Sequence, residues 1–198
     1  PHGAAVSERE PDMDGHWLAL LRSKVAHTIR LAGFAPESHD AKALVNILET
    51  FPRDELFQIE TDELLRVAKN ILYIQERRRI ELFMREDVYG QFVTCLAFFP
   101  RDIYNTELRL KVEQVLLDRL EAEDIEFVTH FSESVLARVQ FTIRVPQVEN
   151  RQLPLAEIRD KVIELAQSWR DGLYEALSEA YGEEQGNELY RVWAGGFP

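Results

Sequence analysis

Cysteine is nearly absent from this chain of 198 residues, which contains only Cys95. A single thiol excludes an intrachain disulfide and any metal site built from several cysteines. Cys95 lies in an apolar pattern typical of a strand, where a thiol usually acts as a small, inert hydrophobic side chain. Such a chain suits a reducing compartment, so we predict a cytoplasmic location.

Long hydrophobic runs are also missing. No apolar stretch approaches the roughly 20 residues that a membrane-spanning helix needs, and the opening residues lack the apolar core of a secretion signal. The 23 basic and 35 acidic side chains leave a net charge of −12. A negative surface repels nucleic-acid backbones and anionic membranes, so the sequence predicts neither as a partner.

The short motifs that mark common enzyme sites are absent as well. The chain has no G-x-G-x-x-G after a strand, no phosphate-binding G-x-x-x-x-G-K-[ST] loop and no H-E-x-x-H pair. His130, Ser132 and Ser134 lie close together, but no glycine-rich elbow surrounds either serine, so both are expected to serve the turn. The sequence therefore predicts no catalytic residue, no cofactor and no metal ion in this chain.

The N-terminal third is predicted to be helical after a linker or disordered start over residues 1–15. Apolar residues at helical spacing predict a helix from His16 to Ala32, which Gly33 ends. A second helix is expected from Ser38 or Asp40 to Glu49, because Pro52 disfavours helical geometry at the residue before it. Residues 16–60 are thus interpreted as a helical hairpin followed by a connector.

A domain of mixed helices and strands is predicted for residues 61–146. A third helix opens at Thr61–Asp62 and runs to about Arg77. The hydrophobic period then changes to two, predicting strands at 80–85 and 91–99 around the turn at 87–90. The second of these strands is almost continuously apolar, which indicates a central place in the sheet. A helix at 105–120 and a hairpin of 125–131 with 135–145 complete the domain.

Residues 147–198 are predicted to form a polar linker and a C-terminal helical segment. The apolar spacing from Leu155 through Leu165, Trp169 and Leu177 predicts one long helix ending near Tyr181. A shorter helix follows from Glu183 to Trp193. Trp169 and Trp193 are interpreted as core or interface side chains. The sequence leaves open whether these helices dock on the sheet or elsewhere.

This order of elements predicts an α+β fold, a ferredoxin-like two-layer sandwich with a four-stranded, mainly antiparallel sheet. Helix–strand–strand repeated twice is a circular permutation of the ferredoxin-like pattern, with helices on one face of the sheet. The other face is expected to show Glu81, Arg85, Glu126, His130, Arg138, Gln140 and Arg144. A solvated face and an interface both remain possible, and Phe83, Phe99 and Val128, assigned to the same side, favour the interface.

The tetrapeptide F-P-R-D occurs twice, at Phe51–Asp54 and Phe99–Asp102. Two arginines on turns can clamp a carboxylate, because the guanidinium fork matches that group. The simpler interpretation is an aromatic anchor, a proline that turns the chain and a local Arg–Asp pair, because turn residues usually serve the turn. The simpler interpretation is favoured.

Several longer segments resemble one protein family. The segments F-P-R-D-E-L-F-Q from Phe51, R-D-I-Y-N-T-E-L-R from Arg101 and F-S-E-S-V-L-A-R-V from Phe131 are similar to the large bacterial NAD-specific glutamate dehydrogenases. The resemblance extends from about Trp17 to Pro198. It implies a parent enzyme that oxidatively deaminates L-glutamate to 2-oxoglutarate with NAD. The glycine-rich segment around a reactive lysine, typical of the catalytic core, is missing here.

The resemblance further implies an ACT-like domain in the noncatalytic region of the parent. Two roles follow, and the favoured one is an interface between subunits or domains. Its partners would be the rest of the parent chain and further copies in a homo-oligomer. The alternative is a regulatory module that binds an amino-acid effector. The candidate effector residues are Arg101, Asp102, Tyr104 and Asn105, and the candidate interface residues are Phe83, Arg85, His130, Arg138, Gln140 and Arg144.

Overall fold

The computed structural model describes residues 13–132, 134–147 and 152–195. These residues form seven helices and four strands. The helices are α1 (Met13–Ala32), α2 (His39–Glu49), α3 (Arg53–Gln58), α4 (Thr61–Arg77), α5 (Thr106–Leu120), α6 (Leu155–Tyr181) and α7 (Glu183–Gly195), and the strands are β1 (Glu81–Glu86), β2 (Phe92–Pro100), β3 (Asp124–His130) and β4 (Leu136–Arg144).

The chain divides into two compact units, Pro1–Tyr73 and Ile74–Pro198. The first unit is helical, and its fully buried side chains include Leu44, Leu48 and Leu64. The Ser38 hydroxyl accepts a hydrogen bond from the Ala41 amide at 3.1 Å, which caps α2. Helix α2 ends at Glu49, before Pro52, so the predicted boundary of this helix is confirmed.

Helix α3 corrects the interpretation of residues 51–60 as a plain connector. Pro52 precedes its first turn, where a missing amide hydrogen costs nothing, and its carbonyl accepts from the Leu56 amide at 3.0 Å. Asp54 and Glu55 in the first turn complement the helix dipole. Six residues are too few to show a hydrophobic period, so the pattern did not reveal this helix.

The second unit contains one antiparallel sheet with the strand order β1-β2-β4-β3. Strands β1 and β2 form one hairpin and β3 and β4 the other, and the two hairpins meet at β2 and β4. This is the strand order of a circularly permuted ferredoxin-like sheet. The predicted α+β fold class is therefore confirmed, together with the central position of the apolar strand β2.

Helices α5 and α6 cover one face of the sheet. Leu108, Val112 and Leu116 of α5 and Ile158 and Val162 of α6 are fully buried in a core that includes the inward side chains of the strands. The question left open by the sequence is thereby answered for α6, because its first turns are part of the sheet's own core. Leu173 and Leu177, farther along α6, are only half-buried.

Helix α7 packs closely against the second half of α6. A Cβ atom added at Gly186 would lie 2.8 Å from the Cα of Ser178 and 2.9 Å from the carbonyl oxygen of Leu177. Tyr174 and Tyr190 meet edge-on across the same pair of helices, with ring centroids 5.6 Å apart. The two helices can therefore approach this closely only because residue 186 has no side chain.

One side-chain assignment made from the sequence is wrong. Phe99 was placed on the outer side of the sheet, but it is fully buried in the core beneath α5 and α6. Its neighbour Phe98 points to the other side, opposite Arg138 in the register. Both faces of β2 are apolar at this end. No alternation in the sequence therefore shows which of the two phenylalanines faces the core.

Some expectations concern residues outside the described part of the chain. They include the disordered start up to residue 12, the hairpin residue Glu133, the linker residues 148–151, Gly196 and the side chains of Trp169 and Trp193. None of the helices in the described ranges is long and apolar enough to cross a membrane.

Candidate functional site

The candidate interface residues lie on the side of the sheet that faces away from α5 and α6, called the open face below. The register places Phe83 beside Leu96, Arg85 beside Thr94 and Arg138 between Phe98 and His130. Directly paired residues share a face in an antiparallel sheet. All six candidates therefore lie on the open face: Phe83, Arg85, His130, Arg138, Gln140 and Arg144.

The open face is apolar and buried at one end of β2, half-buried over much of the remaining sheet, and exposed at Phe92 and along β3. Leu96 and Phe98 are only 3% and 6% exposed, and the rings of Phe83 and Phe98 meet edge-on at 5.9 Å. Phe92 at the other end of β2 is 40% exposed, and Val128 on β3 is 68% exposed. The face thus offers large apolar side chains on both halves of the sheet.

Charges of both signs surround these apolar side chains. Arg138 is half-buried, and burial lowers the pKa of its guanidinium. Burial, together with the nearby charge of Arg138, lowers the pKa of His130 below its ordinary value of 6.5. Arg144 lies 3.6 Å from the Glu123 carboxylate. The open face is therefore mixed in charge and is not a basic patch.

The turn between β2 and α5 holds the candidate effector residues. The Arg101 amide donates to the Val135 carbonyl at 3.1 Å, and its guanidinium lies over the Phe131 ring, 5.3 Å from the centroid. The Tyr104 hydroxyl hydrogen-bonds with the hydroxyl of Thr129 at 2.9 Å. These bonds hold the turn against the start of β4 and the end of β3.

Asn105 caps α5, because its side-chain oxygen accepts from the Leu108 amide at 2.8 Å. That bond fixes the orientation of the side-chain amide, so Nδ2 is the atom that points away from the helix end. Nδ2 is buried without a hydrogen-bond partner, and so is Nε of Arg101. Asp102 forms no ion pair with Arg101 among the described residues, so the local Arg–Asp pair expected here is wrong. Two unsatisfied donors thus lie four residues apart.

The remaining reactive side chains have structural roles. The Ser132 hydroxyl accepts from the Ser134 amide, and that of Ser134 accepts from the Leu136 amide and from Gln75, which confirms both as turn serines. Complete burial raises the pKa of the Cys95 thiol to about 12, so it is inert as a nucleophile. Within the described ranges, no cluster of three His, Cys, Asp or Glu side chains could hold a metal ion.

The sequence predicted β3 as a strand but did not show that this strand lies at an edge of the sheet. It is the end strand of the sheet, and Phe127 and Val128 are exposed on its two faces, followed by Phe131. Pairing order depends on contacts between distant segments, so the sequence did not show which strand would lie at an edge. The only available signal was the apolar run of β2, which assigned the centre to that strand.

Comparison with protein families identifies three consecutive modules in the chain. The model of helical motif 1 of glutamate dehydrogenase matches residues 20–77, and the ACT2 domain of the same enzyme matches residues 81–170. The model of helical motif 2 matches residues 176–198. The ACT2 match begins at β1 and continues into α6, so it includes the sheet, α5 and the first part of α6.

Three curated relatives are NAD-specific glutamate dehydrogenases. The NAD-specific glutamate dehydrogenase of Halomonas elongata is 44% identical over 179 residues, and that of Pseudomonas aeruginosa is 45% identical over 181 residues. The enzyme of Mycobacterium tuberculosis is 29% identical over 185 residues. These alignments cover 90%, 91% and 87% of this chain but only 11% of each relative. The chain therefore belongs to the noncatalytic region of the large NAD-specific glutamate dehydrogenases, where it comprises the ACT2 domain and a helical motif on either side.

Proposed function

We propose that this chain is an assembly segment of an NAD-dependent glutamate dehydrogenase, which oxidatively deaminates L-glutamate to 2-oxoglutarate. In this proposal NAD and the reacting groups belong to other parts of the parent enzyme, in the cytoplasm. The chain spans about a ninth of its relatives, so most of the parent lies outside it. The open face would pack against one such outside segment of the same parent chain.

The exposed apolar side chains of the open face are the observation that carries this proposal. Phe92 and Val128 lie on opposite halves of the sheet, where Phe92 pairs with Arg144 and Val128 pairs with Gln140. Large exposed apolar side chains among polar and arginine side chains are found at protein interfaces. The segment of the parent chain that packs on the open face is expected to present apolar side chains to Phe92 and Val128 and polar groups to Arg85 and Arg144.

Hydroxyl-radical footprinting of the whole parent enzyme and of the isolated chain tests the packing of the open face. Phe83 and Phe92 serve as reporters, because both lie on the open face away from β3. We expect both rings to be oxidised several times more slowly in the parent than in the isolated chain. Tyr89, in the exposed β1–β2 turn, provides a comparison off the face. Equal oxidation rates of Phe83 and Phe92 in the two samples would refute the packing.

A second candidate function is supported by the unsatisfied donors of the β2–α5 turn. We propose as the alternative that Arg101, Asp102, Tyr104 and Asn105 bind an amino-acid effector. Nε of Arg101 and Nδ2 of Asn105 would donate to its carboxylate, since a buried donor without a partner costs about 1–3 kcal/mol. The guanidinium is already oriented over Phe131, so little side-chain entropy would be lost on binding.

Titration calorimetry of the chain against the twenty common amino acids tests this alternative. We expect heat from one or a few of them, and loss of that heat in Arg101→Gln. Arg119→Gln is the matched control, because Arg119 is an exposed arginine at the other end of α5 whose partner is Glu157. The absence of heat from all twenty would exclude amino-acid binding at this turn and would imply that ordered water satisfies the two donors.

A further inference from the structure

The β1–β2 turn carries the two most exposed large apolar side chains in the described part of the chain. Val88 is 80% exposed and Tyr89 is 73% exposed, and both exceed every other such side chain there. They are the two central residues of a turn in which the Gly90 amide donates to the Asp87 carbonyl at 3.1 Å. Central turn positions usually hold small or polar residues that stabilise the turn itself. Val88 and Tyr89 do not serve the turn in this way, so their side chains are available to a partner.

The backbone of this turn is held in place by several hydrogen bonds. The Asp87 carboxylate accepts from three backbone amides of the residues that follow it. The Asp87 amide donates to the Phe92 carbonyl at 2.9 Å, and the side-chain amide of Gln147 donates to the Tyr89 carbonyl at 3.3 Å. A backbone that is already ordered loses little conformational entropy when its side chains bind a partner. The turn is therefore a preorganised projection at the end of the β1–β2 hairpin.

Tyr89 is the kind of side chain on which protein interfaces depend. Tyrosine is enriched among the interface residues that contribute most to binding, and such residues fill well-packed pockets from which water is excluded. Its ring supplies apolar contact area, and its hydroxyl pairs with a polar group when it is buried. Val88 lies next to it in the same turn. The matching pocket is therefore concave, with an apolar floor for both side chains and one hydrogen-bonding group for the phenol.

Carboxylates border the turn on its N-terminal side, where Glu86 and Asp87 directly precede Val88. Surfaces that bind anionic membranes carry lysine and arginine beside their apolar side chains, and acidic residues occupy the adjacent positions here. A pocket rimmed by basic side chains or N–H donors complements this negative charge. The turn therefore fits a pocket in a protein better than a lipid surface.

The pocket along α2 of a second copy is a poor match for this turn. Six residues line that pocket, among them Glu37 and Glu49. Their carboxylates would face Glu86 and Asp87, and like charges oppose each other across an interface. The aligned region covers only 11% of each of the two most similar relatives described above. Most of the parent enzyme that can supply a better pocket therefore lies outside this chain.

We propose that the β1–β2 turn docks on the parent enzyme by inserting Val88 and Tyr89 into an apolar pocket that lies outside this chain and is rimmed by basic side chains or N–H donors. This inference rests on the proposed assembly function and adds a second contact with the parent. The contact lies at the end of the β1–β2 hairpin and uses side chains that do not belong to the open face.

Hydrogen-exchange mass spectrometry of the whole parent enzyme tests this docking and locates the pocket. In Tyr89→Ser, we expect a segment outside this chain to exchange its amides several times faster than in the wild-type enzyme. Tyr89→Phe is the matched control, because it keeps the ring that fills the pocket and should exchange like the wild type. Tyr89 is largely exposed, so exchange in β2 and β4 should be unchanged in both variants. Unchanged exchange in every segment outside this chain would overturn the proposal.

Hydroxyl-radical footprinting provides a second measurement that needs no variant. We expect the Tyr89 ring to be oxidised several times more slowly in the parent than in the isolated chain, and equal rates in the two samples would refute the docking. A rate that falls only when phosphatidylcholine vesicles are added would assign the turn to a lipid surface instead.

The two proposals fail separately. Packing of the open face is measured at Phe83 and Phe92, whereas docking of the turn is measured at Tyr89. If Phe83 and Phe92 are protected in the parent while Tyr89 reacts equally in both samples, the open face packs as proposed and the turn does not dock. If Tyr89 alone is protected, the turn docks and the open face does not pack.

Discussion

At the β1–β2 turn, one carboxylate binds three backbone amides of the residues that follow it. Asp87 accepts hydrogen bonds from the amides of Tyr89, Gln91 and Phe92 at 3.1, 2.7 and 2.8 Å. Gly90 adopts a φ of +65°, which favours glycine, as expected from its place at the end of the turn. Burial works to raise the pKa of Asp87, but these three amides and Arg85 outweigh it, so the pKa lies below 3.8.

Asp87→Asn is expected to lower the free energy of unfolding by about 1 kcal/mol at neutral pH, because the amide replaces a charged acceptor at a partly exposed site. A lowered pKa means that the stabilisation is present above the unfolded-state pKa and is lost as pH falls through the folded-state value. The difference between wild type and variant should therefore shrink below about pH 3.8. Urea unfolding of both proteins at several pH values measures this difference in the free energy of unfolding.

Asp118→Asn is the control for this pH series, because Asp118 accepts only from the Gln114 side chain on an exposed helix surface. Its unfolding free energy should follow that of the wild type within a few tenths of a kcal/mol. A constant difference between Asp87→Asn and wild type down to pH 2 would contradict the assigned role of the carboxylate.

Cys95 should react only when the second unit unfolds. Its side chain is fully buried on β2 and its pKa is raised to about 12, so thiolate is scarce at pH 8. We expect iodoacetamide to modify the native chain at the rate of unfolding, and the denatured chain within minutes. Mass spectrometry of the time course measures both rates. Fast modification in native buffer would show that β2 is not central in solution.

At the scale of elements, the sequence predicted best where apolar and polar residues alternate. Strand β4 has a single apolar face, and Ala137, Val139, Phe141 and Ile143 on that face are all buried. Strand β2 is apolar on both faces, so its side-chain directions depended on pairing with β4, and Phe99 was assigned to the wrong face. The Arg101 and Asn105 donors are unsatisfied because single atoms of these side chains are buried. A pattern of residue types does not show the burial of single atoms.

Gly186→Ala is expected to separate α6 from α7. The added methyl group would press on the backbone of Ser178 at 2.8 Å, and backbone yields less easily than a flexible side chain. We expect a loss of about 1–3 kcal/mol in stability and faster amide exchange throughout α7. Hydrogen-exchange mass spectrometry measures the faster amide exchange in α7 directly.

Gly172→Ala is the matched control for this substitution. Gly172 also lies in a helix, but nothing lies within 4 Å of the added Cβ. Alanine should therefore stabilise α6 by roughly 0.5–1 kcal/mol, since it reduces the freedom of the unfolded chain. Equal effects of the two substitutions would show that α7 does not pack on α6 at this point.

At the scale of the whole molecule, each of the two units has its own buried core. Helices α5 and α6 cover one face of the sheet of the second unit, and α6, which follows the last strand, supplies part of the core from its 27 residues. Removal of α6 takes Ile158 and Val162 out of this core and exposes their partners on the sheet to water. The fold of residues 81–146 therefore depends on a helix outside that range.

A chain that ends at Gln147 should lose the cooperative unfolding of the second unit. Removal of Ile158, Val162 and Ala166 leaves one half of the helix-facing surface of the sheet unpacked, and each large side chain contributes about 1.5–3 kcal/mol. A chain that ends at Tyr181 keeps these residues and should unfold cooperatively. Thermal melts followed by near-ultraviolet circular dichroism compare the two. A sharp transition in the shorter chain would contradict the structure.

Helix α6 crosses the border between two family modules without a break. The ACT2 match ends at residue 170 and helical motif 2 begins at residue 176, and both positions lie inside Leu155–Tyr181. At 1.5 Å per residue the helix is about 40 Å long. No loop between the two modules can absorb rotation, so α6 acts as a stiff lever, and a tilt of the sheet would swing α7 through a proportionally larger arc.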